Sequence, residues 1–270
     1  MSEHQDRLIY NHIKHDGYFP AKAGHYHNMY EIYFLKSGNC RYFIGDKLFE
    51  VNEGDIILIS RGTIHKSIYS GSPIERYLLN FPENYIDDVL SEDVKNLFEK
   101  NIYHAPKDII PQILSVFQKL SVECDDTDKY SDIITMGCMT ELFTIMLRHP
   151  CEQTERDDIS NLPVENATAY ITEHYNEPLT LEGMAELTSL SVSYFSRLFK
   201  TITGFGFKEY LTIIRLKQAQ SLLLHTDTSI CKIAYECGFN DSNYFSVVFK
   251  DFTGISPLKY RKQNRIKKGE

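Results

Sequence analysis

Residues 192–204 have the sequence VSYFSRLFKTITG, and residues 242–254, 50 positions later, have the sequence SNYFSVVFKDFTG. With Tyr210 and Tyr260, which follow at the same spacing, the two copies share eight identities over 17 residues. Unrelated sequences would share about one, so the match indicates an internal repeat. The C-terminal part of the chain is therefore predicted to contain one structural unit twice.

Two helix starts are expected in each copy. In every case a Ser, Thr or Asp can accept a hydrogen bond from the first turn of a helix: Thr180, Ser191, Ser229 and Asp241. A helix start followed by a short break and a second helix start predicts a helix-turn-helix in each copy. A helical bundle with no role in DNA binding is the alternative.

The turn of the second copy has the residue types that a tight helix-turn-helix needs. Ala234 is small enough for two helices to cross closely, and Gly238, four residues later, can adopt a left-handed backbone. The first copy has Ala185, but Ser189 stands where the second copy has glycine. The same left-handed turn is expected to cost about 1 kcal/mol there.

The region from about Glu165 to Lys262 resembles the paired helix-turn-helix region of AraC/XylS-type transcription regulators. The segments that carry the resemblance are LSVSYFSRLFKTITGFGFKEYL, RLKQAQSLL and IAYECGFNDSNYFSVVFKDFTGISPLKYRK. The resemblance implies that residues 192–203 and 242–253 are two recognition helices joined by a helix over residues 207–225. It also implies a ligand-responsive transcription regulator that binds specific promoter DNA and is not an enzyme.

The resemblance assigns individual side chains to DNA. Those expected at base edges are Ser193, Ser196 and Arg197 in the first recognition helix and Ser242, Asn243, Ser246 and Val247 in the second. Arg197 matches guanine and Asn243 matches adenine through paired hydrogen bonds. Those expected at phosphates are Lys200, Lys208, Lys250 and Arg261. A surface charge without a role is the alternative for each lysine.

The first 82 residues have the pattern of a β-rich domain. Aromatic and β-branched runs at residues 31–35, 41–44, 56–60 and 76–81 alternate with Gly-rich or polar turns. Short strands this close together predict a sandwich or a barrel.

The pattern becomes helical after Pro82. The helical spacing of Ile109, Ile113, Phe117 and Leu120 predicts one helix, and the apolar segment 133–147 predicts a second. We expect the face formed by these four residues to be a homodimer interface. Packing of that face on the protein's own barrel is the alternative.

Three histidines and a glutamate in the β-rich region match a metal-ligating pattern. Residues 25–31 have the sequence HYHNMYE, and the run GTIH ends at His65. On an unbulged strand His25, His27, Glu31 and Tyr33 would share one face. This pattern resembles the two motifs of a cupin barrel, except that Ser60 stands where proline is usual.

Two uses of these residues stay open. We expect His25, His27, Glu31, Tyr33 and His65 to bind a small-molecule effector through hydrogen bonds, without a metal or another cofactor. If a metal is present, its ligands are His25, His27, Glu31 and His65, a donor set suited to Zn, Fe, Mn or Ni. The alternative function is a metal-dependent cupin enzyme, an isomerase or dioxygenase, with an appended helical domain.

The sequence therefore predicts a two-domain α+β protein. Residues 1–150 are assigned to a cupin-like β-barrel with a helical segment, for effector sensing and dimerisation. Residues 164–270 are assigned to an all-α double helix-turn-helix domain. The polar stretch 149–163, with a proline near each end, is the expected linker.

Charge is distributed unevenly along the chain. Residues 1–160 carry 16 basic and 26 acidic side chains, whereas residues 161–270 carry 13 basic and 11 acidic ones, so the net charge of −8 hides a basic C-terminal part. A weak basic excess indicates nucleic-acid binding only when a DNA-reading geometry accompanies it.

The remaining features predict a cytoplasmic protein with no membrane segment. The N-terminus has no apolar signal segment, and the six cysteines form no CxxC pair. The expected partners are promoter DNA, a small-molecule effector that the resemblance makes a sugar, a second copy of the chain, and RNA polymerase if the protein activates transcription. Activation and repression, the operator and the effector's identity stay open.

Overall fold

The computed structural model describes residues 7–16, 24–86, 91–125, 128–151 and 162–266. The chain divides into two compact units between residues 160 and 161. Antiparallel sheets and helices build the first unit, and helices build the described part of the second. The predicted two-domain α+β class is confirmed. Most of the predicted linker lies outside the described residues.

The described part of the first unit contains eight strands in two antiparallel sheets. The strands are β1 (Ile9–His15), β2 (Tyr30–Ser37), β3 (Asn39–Ile44), β4 (Lys47–Asn52), β5 (Asp55–Ile59), β6 (His65–Ile68), β7 (Ile74–Phe81) and β8 (Ile102–His104). The sheets have the strand orders β1-β7-β2-β5-β8 and β4-β3-β6. The sequence predicted β2, β3, β5 and β7. It missed strands such as β1 and β6, whose charged and polar side chains weaken the β pattern.

The two faces of β2 have different environments because successive side chains point to opposite sides of a strand. Ile32 and Phe34 belong to the hydrophobic cluster that includes the helices. Tyr33 belongs to the cluster between the two sheets, and the Tyr42 hydroxyl on β3 reaches Glu31. The odd-numbered side chains of β2 therefore face the interior of the barrel.

Three α-helices complete the described part of the first unit: α1 (Ser91–Glu99), α2 (Ile110–Asp125) and α3 (Ser131–Arg148). The predicted dimer face is wrong, since Ile109, Ile113, Phe117 and Leu120 are at most 1% exposed within this unit. The Phe117 ring stacks on that of Phe34 with centroids 5.4 Å apart. The alternative, packing on the protein's own barrel, is confirmed. Periodicity identifies the apolar face of a helix but not what covers it.

Seven helices form the described part of the second unit. They are α4 (Leu162–Glu173), α5 (Leu181–Leu187), α6 (Val192–Thr203), α7 (Phe207–His225), α8 (Ile230–Glu236), α9 (Ser242–Thr253) and α10 (Pro257–Ile266). The predicted bounds of α6, α7 and α9 are confirmed. Helix α4 begins inside the predicted linker because Pro163 occupies its first turn, where proline is tolerated. None of the described helices combines the length and hydropathy needed to cross a bilayer.

The predicted helix caps are confirmed. The four cap side chains accept hydrogen bonds from backbone N–H groups in the first turns of α5, α6, α8 and α9: Thr180, Ser191, Ser229 and Asp241. The repeated phenylalanines form the buried side of each recognition helix: Phe195, Phe199, Phe245 and Phe249. Because these rings fix one face of α6 and α9 in the core, the opposite face of each helix is left exposed.

Candidate DNA interface and effector site

The exposed face of α6 carries all four predicted DNA contacts of that helix: Ser193, Ser196, Arg197 and Lys200. The Nε of Arg197 donates a hydrogen bond to the Ser193 carbonyl at 3.3 Å. This bond holds the guanidinium along the helix surface. A polar, cationic helix face of this kind can contact both base edges and phosphates.

The corresponding face of α9 is less polar. Asn243, Val247 and Lys250 are exposed, and Val247 remains 58% exposed although it is apolar. Ser242 and Ser246 are half-buried, and the Ser246 hydroxyl donates to the Ser242 carbonyl at 2.9 Å. The two serines are thus less available to DNA than the sequence suggested, which leaves Asn243 as the main polar group on this face.

Two tyrosines on the recognition helices were not assigned to DNA from the sequence. Tyr194 is 49% exposed and Tyr244 is 56% exposed, at the same position of each repeat. A phenolic hydroxyl can donate to a phosphate oxygen. The repeat could have indicated them, because a tyrosine occupies this position in both copies. Neither tyrosine is part of the buried core.

Arg261, one of the predicted phosphate contacts, forms a hydrogen bond within its own chain. A guanidinium nitrogen of Arg261 donates to the Thr228 carbonyl. Lys208, in contrast, is exposed in the first turn of α7. Arg261 is half-buried, so Lys208 has the more accessible side chain of the two.

In the first unit, His25, His27, Glu31 and His65 converge. Each offers one potential ligand atom, and the four atoms lie within 4.8 Å of one another. Glu31 lies on β2 and His65 begins β6, so this histidine–glutamate cluster spans the two sheets. The structure therefore brings together all four residues that the sequence named as a metal set.

The two N-terminal histidines reach the cluster by a route that the sequence did not predict. Strand β2 begins only at Tyr30, so His25 and His27 precede it. His25 pairs with His65 through reciprocal backbone hydrogen bonds of 3.1 and 3.0 Å, and the Gly62 N–H donates to the His27 carbonyl at 2.7 Å. The single unbulged strand that would have placed them on one face is not formed, because a segment bonded to β6 and its preceding turn carries these histidines.

Backbone carbonyls orient two of the imidazole rings. The Nδ1 atoms of His27 and His65 lie 3.0 Å from the Met29 carbonyl oxygen and 2.8 Å from the Thr63 carbonyl oxygen, respectively. A carbonyl only accepts, so each Nδ1 carries a proton and each Nε2 points toward the cluster. The Nε2 of His27 lies 3.1 Å from Glu31 Oε2, and that of His65 lies 3.6 Å from it. A metal ion held by these nitrogens and the carboxylate would account for such a close approach.

Glu31 is almost fully buried at 2% exposure. Its Oε1 accepts a hydrogen bond from the Tyr42 hydroxyl at 3.0 Å, and its Oε2 accepts one from Asn80 Nδ2 at 2.9 Å. Burial raises the pKa of Glu31, but the hydrogen bonds from His27 and Asn80 and the nearby His65 ring outweigh it and hold the pKa well below its usual value. The carboxylate is therefore ionised at neutral pH.

This donor set fits a divalent transition metal ion. Three imidazoles and one carboxylate are suitable ligands, and a carbonyl at the second ring nitrogen is the usual outer support of a metal-binding histidine. The Nε2 of His65 is buried and has no hydrogen-bond partner among the described residues. His25, His27, Glu31 and His65 would hold the ion, which would act as a Lewis acid toward effector oxygens. The expectation of a metal-free pocket stays a prediction.

Tyr33 lies beside the cluster rather than in it. Its ring makes a T-shaped contact with the Tyr42 ring at 5.1 Å, and its hydroxyl lies 3.5 Å from the Tyr69 hydroxyl. Burial raises the pKa of Tyr33 well above its usual value, so its hydroxyl stays protonated. Tyr33 therefore places a neutral hydroxyl and a buried ring beside the cluster.

Comparison with protein families assigns both units. An AraC-like ligand-binding domain matches residues 13–143, and a helix-turn-helix domain matches residues 184–263. The chain belongs to the AraC family of transcription regulators. This AraC-family protein is a ligand-responsive DNA-binding regulator with a small-molecule sensing domain.

Relatives of the AraC-family protein match over nearly its whole length. The HTH-type transcriptional activator RhaR of Mannheimia succiniciproducens is 26% identical over 246 residues, which cover 90% of this chain and 88% of the relative. The melibiose operon regulatory protein of Escherichia coli is 26% identical, with coverage of 89% and 83%. The lactose operon transcription activator of Staphylococcus xylosus is 27% identical, with coverage of 85% and 82%. The family and these relatives are regulators, so the enzyme alternative is not supported.

Proposed function

We propose that this regulator activates carbohydrate-related genes in the cytoplasm, as a homodimer that binds promoter DNA in response to a carbohydrate effector. The observation that carries the proposal is the pairing, in one chain, of two exposed polar recognition-helix faces with a buried polar cluster in the sensor unit. Relatives named for the melibiose and lactose operons support a carbohydrate effector. Relatives named as activators support contact with RNA polymerase.

The effector is bound by His25, His27, Glu31, Tyr33 and His65. A carbohydrate hydroxyl both donates and accepts hydrogen bonds, so it can bind an ionised carboxylate and an imidazole nitrogen at the same time. The aromatic ring of Tyr33 offers a surface for the apolar C–H face of a sugar. Burial of Glu31 and His65 at 2% and 0% exposure strengthens each of these hydrogen bonds.

DNA is bound by the exposed faces of α6 and α9. Arg197 reads guanine and Asn243 reads adenine, supported by Ser193, Ser196, Ser242 and Ser246, while Val247 contacts a thymine methyl. Lys200 and Lys250, at matching positions in the last turns of α6 and α9, contact phosphates. Base contacts on two helices give sequence specificity, and the phosphate contacts give affinity that falls with salt.

The homodimer forms through the exposed face of α3. Ile133 is 70% exposed and Met136 is 45% exposed, and Gly137 is exposed beside them with no neighbouring atom near the position of a Cβ. A glycine inside a helix costs about 1 kcal/mol relative to alanine. That cost is offset if a second copy of α3 approaches closely at Gly137. We propose this face of α3 as the dimer interface in place of the face of α2 that the sequence suggested, which is buried within the unit.

The proposal is tested by selecting fragments of the source genome with the purified full-length protein, followed by footprinting with and without added mono- and disaccharides. The expected result is protection of promoters of carbohydrate genes over successive major-groove faces, altered by a sugar. Failure to protect any sequence at moderate salt would contradict DNA regulation. Protection of promoters without any link to carbohydrate use would contradict the carbohydrate part alone.

A further inference from the structure

Arg76 on β7 is a buried cation with unused hydrogen-bond donors. Its side chain is 4% exposed, and its Nε and Nη1 atoms are buried without a hydrogen-bond partner among the described residues. A guanidinium cannot lose its charge at physiological pH. Burial of an unpaired charge is strongly unfavourable, so a protein retains one where a ligand supplies the missing partner.

Arg76 faces the interior of the barrel. It lies four residues from Asn80 on β7, so both side chains point to the same face of the strand. Asn80 contacts Glu31 and His27 in the histidine–glutamate cluster. The guanidinium carbon of Arg76 lies 5.6 Å from the centroid of the Tyr33 ring. Arg76 is therefore in the same interior layer as the cluster, about 13 Å farther along the strand between Cα atoms.

The acidic side chains around Arg76 have other partners. The side chain of Glu75 lies on the opposite face of β7. Its Oε1 lies 2.6 Å from Lys36 Nζ and 3.0 Å from His12 Nε2. Asp55 binds His104 at 2.7 Å. The Glu31 carboxylate contacts His27, Tyr42 and Asn80. Within the part of the chain that the structure describes, no carboxylate forms an ion pair with Arg76.

We propose that Arg76 binds an anionic group of the effector, which makes the effector an acidic carbohydrate derivative, either a sugar acid or a sugar phosphate. The inference rests on the proposed function, in which the barrel binds a carbohydrate. An anion forms charge-assisted hydrogen bonds with a guanidinium, whereas a neutral sugar leaves the buried charge uncompensated. The hydroxyl groups of the same molecule bind the histidine–glutamate cluster.

The stability of the ligand-free protein gives a first test that needs no effector. Arg76→Met replaces the guanidinium with an uncharged side chain, and Arg41→Met makes the same change at an exposed position on β3. Removal of an unpaired buried charge is expected to raise the melting temperature of the sensor unit. The Arg41 variant should melt like the wild type. A clearly lower melting temperature for Arg76→Met would mean that the guanidinium stabilises the empty fold and would overturn the proposal.

Ligand binding gives a second test, by thermal shift of the full-length protein with D-galacturonate, D-gluconate, D-glucose phosphate, D-galactose and D-glucose. We expect an anionic probe to raise the wild-type melting temperature while its neutral counterpart does not. Arg76→Met and Arg76→Gln should lose this shift, and Arg41→Met should keep it. The responding probe distinguishes carboxylate from phosphate.

In the binding test, two further results would overturn the inference: no shift with any anionic probe, or equal stabilisation of wild type and Arg76 variants by a neutral sugar. DNA binding is measured in parallel by footprinting. The Arg76 variants should protect the same promoters as the wild type, because Arg76 belongs to the sensor unit. If the wild type itself protects no promoter, the proposed function fails whatever the probes show, so the two failures are distinguishable.

Discussion

Ser189 and Gly238 adopt the same left-handed backbone in the turns of the two helix-turn-helix repeats, with φ of 56° and 81°. Each follows a buried alanine by four residues, Ala185 in the first repeat and Ala234 in the second. The first repeat uses the same left-handed turn, although a serine stands at this position. The first repeat therefore carries backbone strain that the second avoids with glycine.

The two turns should respond in opposite ways to substitution. Ser189→Gly relieves the left-handed strain and is expected to raise the free energy of unfolding by up to about 1 kcal/mol. Gly238→Ala is expected to lower it by more than that, because a Cβ at Gly238 would lie 2.9 Å from both the Asn176 carbonyl oxygen and Arg215 Nε. Urea denaturation of the full chain followed by circular dichroism measures both changes. A less stable Ser189→Gly protein would contradict the strain argument.

Arg197 and Lys250 should affect DNA binding differently, since one contacts a base and the other a phosphate. Arg197→Ala is expected to cost about 1–3 kcal/mol on the best site and to relax the preference at one base pair. Lys250→Ala should weaken all sequences alike and reduce the slope of log affinity against log salt by about one.

Titrations of duplex DNA at several salt concentrations measure the two effects. The matched control is Lys119→Ala, which removes an exposed lysine that pairs with Glu141 in the sensor unit. Equal losses on specific and non-specific DNA in the Arg197 variant would exclude a base contact for Arg197.

The repeat made the helical unit highly predictable from the sequence. Its helix bounds depend on local signals, such as the caps Ser191 and Asp241 and the left-handed glycines Gly204 and Gly254 at the ends of α6 and α9. The proposed dimer face on α3 was not predictable, because it depends on which apolar helix stripe the barrel covers. That choice is made by tertiary contacts such as Phe34 with Phe117.

Substitution of Gly137 should separate dimerisation from folding. Gly137→Arg places a long side chain on the exposed face of α3 and is expected to weaken the homodimer at least about tenfold. The fold should be retained, because arginine favours helix more than glycine does. Gly137→Ala is the matched control. Sedimentation of the full chain at micromolar concentration measures the change; an unaltered dimer in the arginine variant would place the interface elsewhere.

Because Lys217 on α7 is largely buried, we expect the free energy of unfolding of the DNA-binding unit to depend on pH. Burial lowers the pKa of Lys217 from 10.5 to about 8. The native state therefore binds fewer protons than the unfolded state between these values, and stability rises as pH increases from 8 to 10.5. Lys217→Met should stabilise the protein at pH 7 by up to about 3 kcal/mol.

This advantage should shrink when the pH is raised above 8, the folded pKa of Lys217. Thermal melts at a series of pH values measure the difference between variant and wild type. Lys232→Met is the control, since Lys232 has a side chain that is 69% exposed. A difference that does not change with pH would show that the effect of Lys217→Met comes from packing and not from charge.

The sensor site was only partly predictable from the sequence. The residue types at positions 25, 27, 31 and 65 were enough to name the cluster. The backbone carbonyls of Met29 and Thr63, which turn two Nε2 atoms toward Glu31, have no signature in the sequence. Arg76 was missed for a related reason, because one arginine in an apolar strand is typical of an outward-facing position until the sheet topology is known.

The orientation of these rings predicts that the cluster binds a divalent ion when one is offered. We expect the full-length protein, dialysed against a chelator, to take up one Zn²⁺ per chain and to melt at a higher temperature. His65→Ala should lose this uptake, because it removes a buried Nε2 for which the described part of the chain offers no hydrogen-bond partner. His12→Ala is the control, since His12 is a surface histidine that pairs with Glu75 on the same unit.

Competition with a chromophoric chelator measures the stoichiometry. No uptake by the wild type, or equal uptake by the His65 variant, would contradict the metal geometry and favour a pocket that binds its effector through hydrogen bonds alone. Uptake restricted to the wild type and the His12 variant would make the ion part of the effector site. In that case the positive charge of the ion adds to that of Arg76, and the preference of the barrel for an anionic effector becomes stronger.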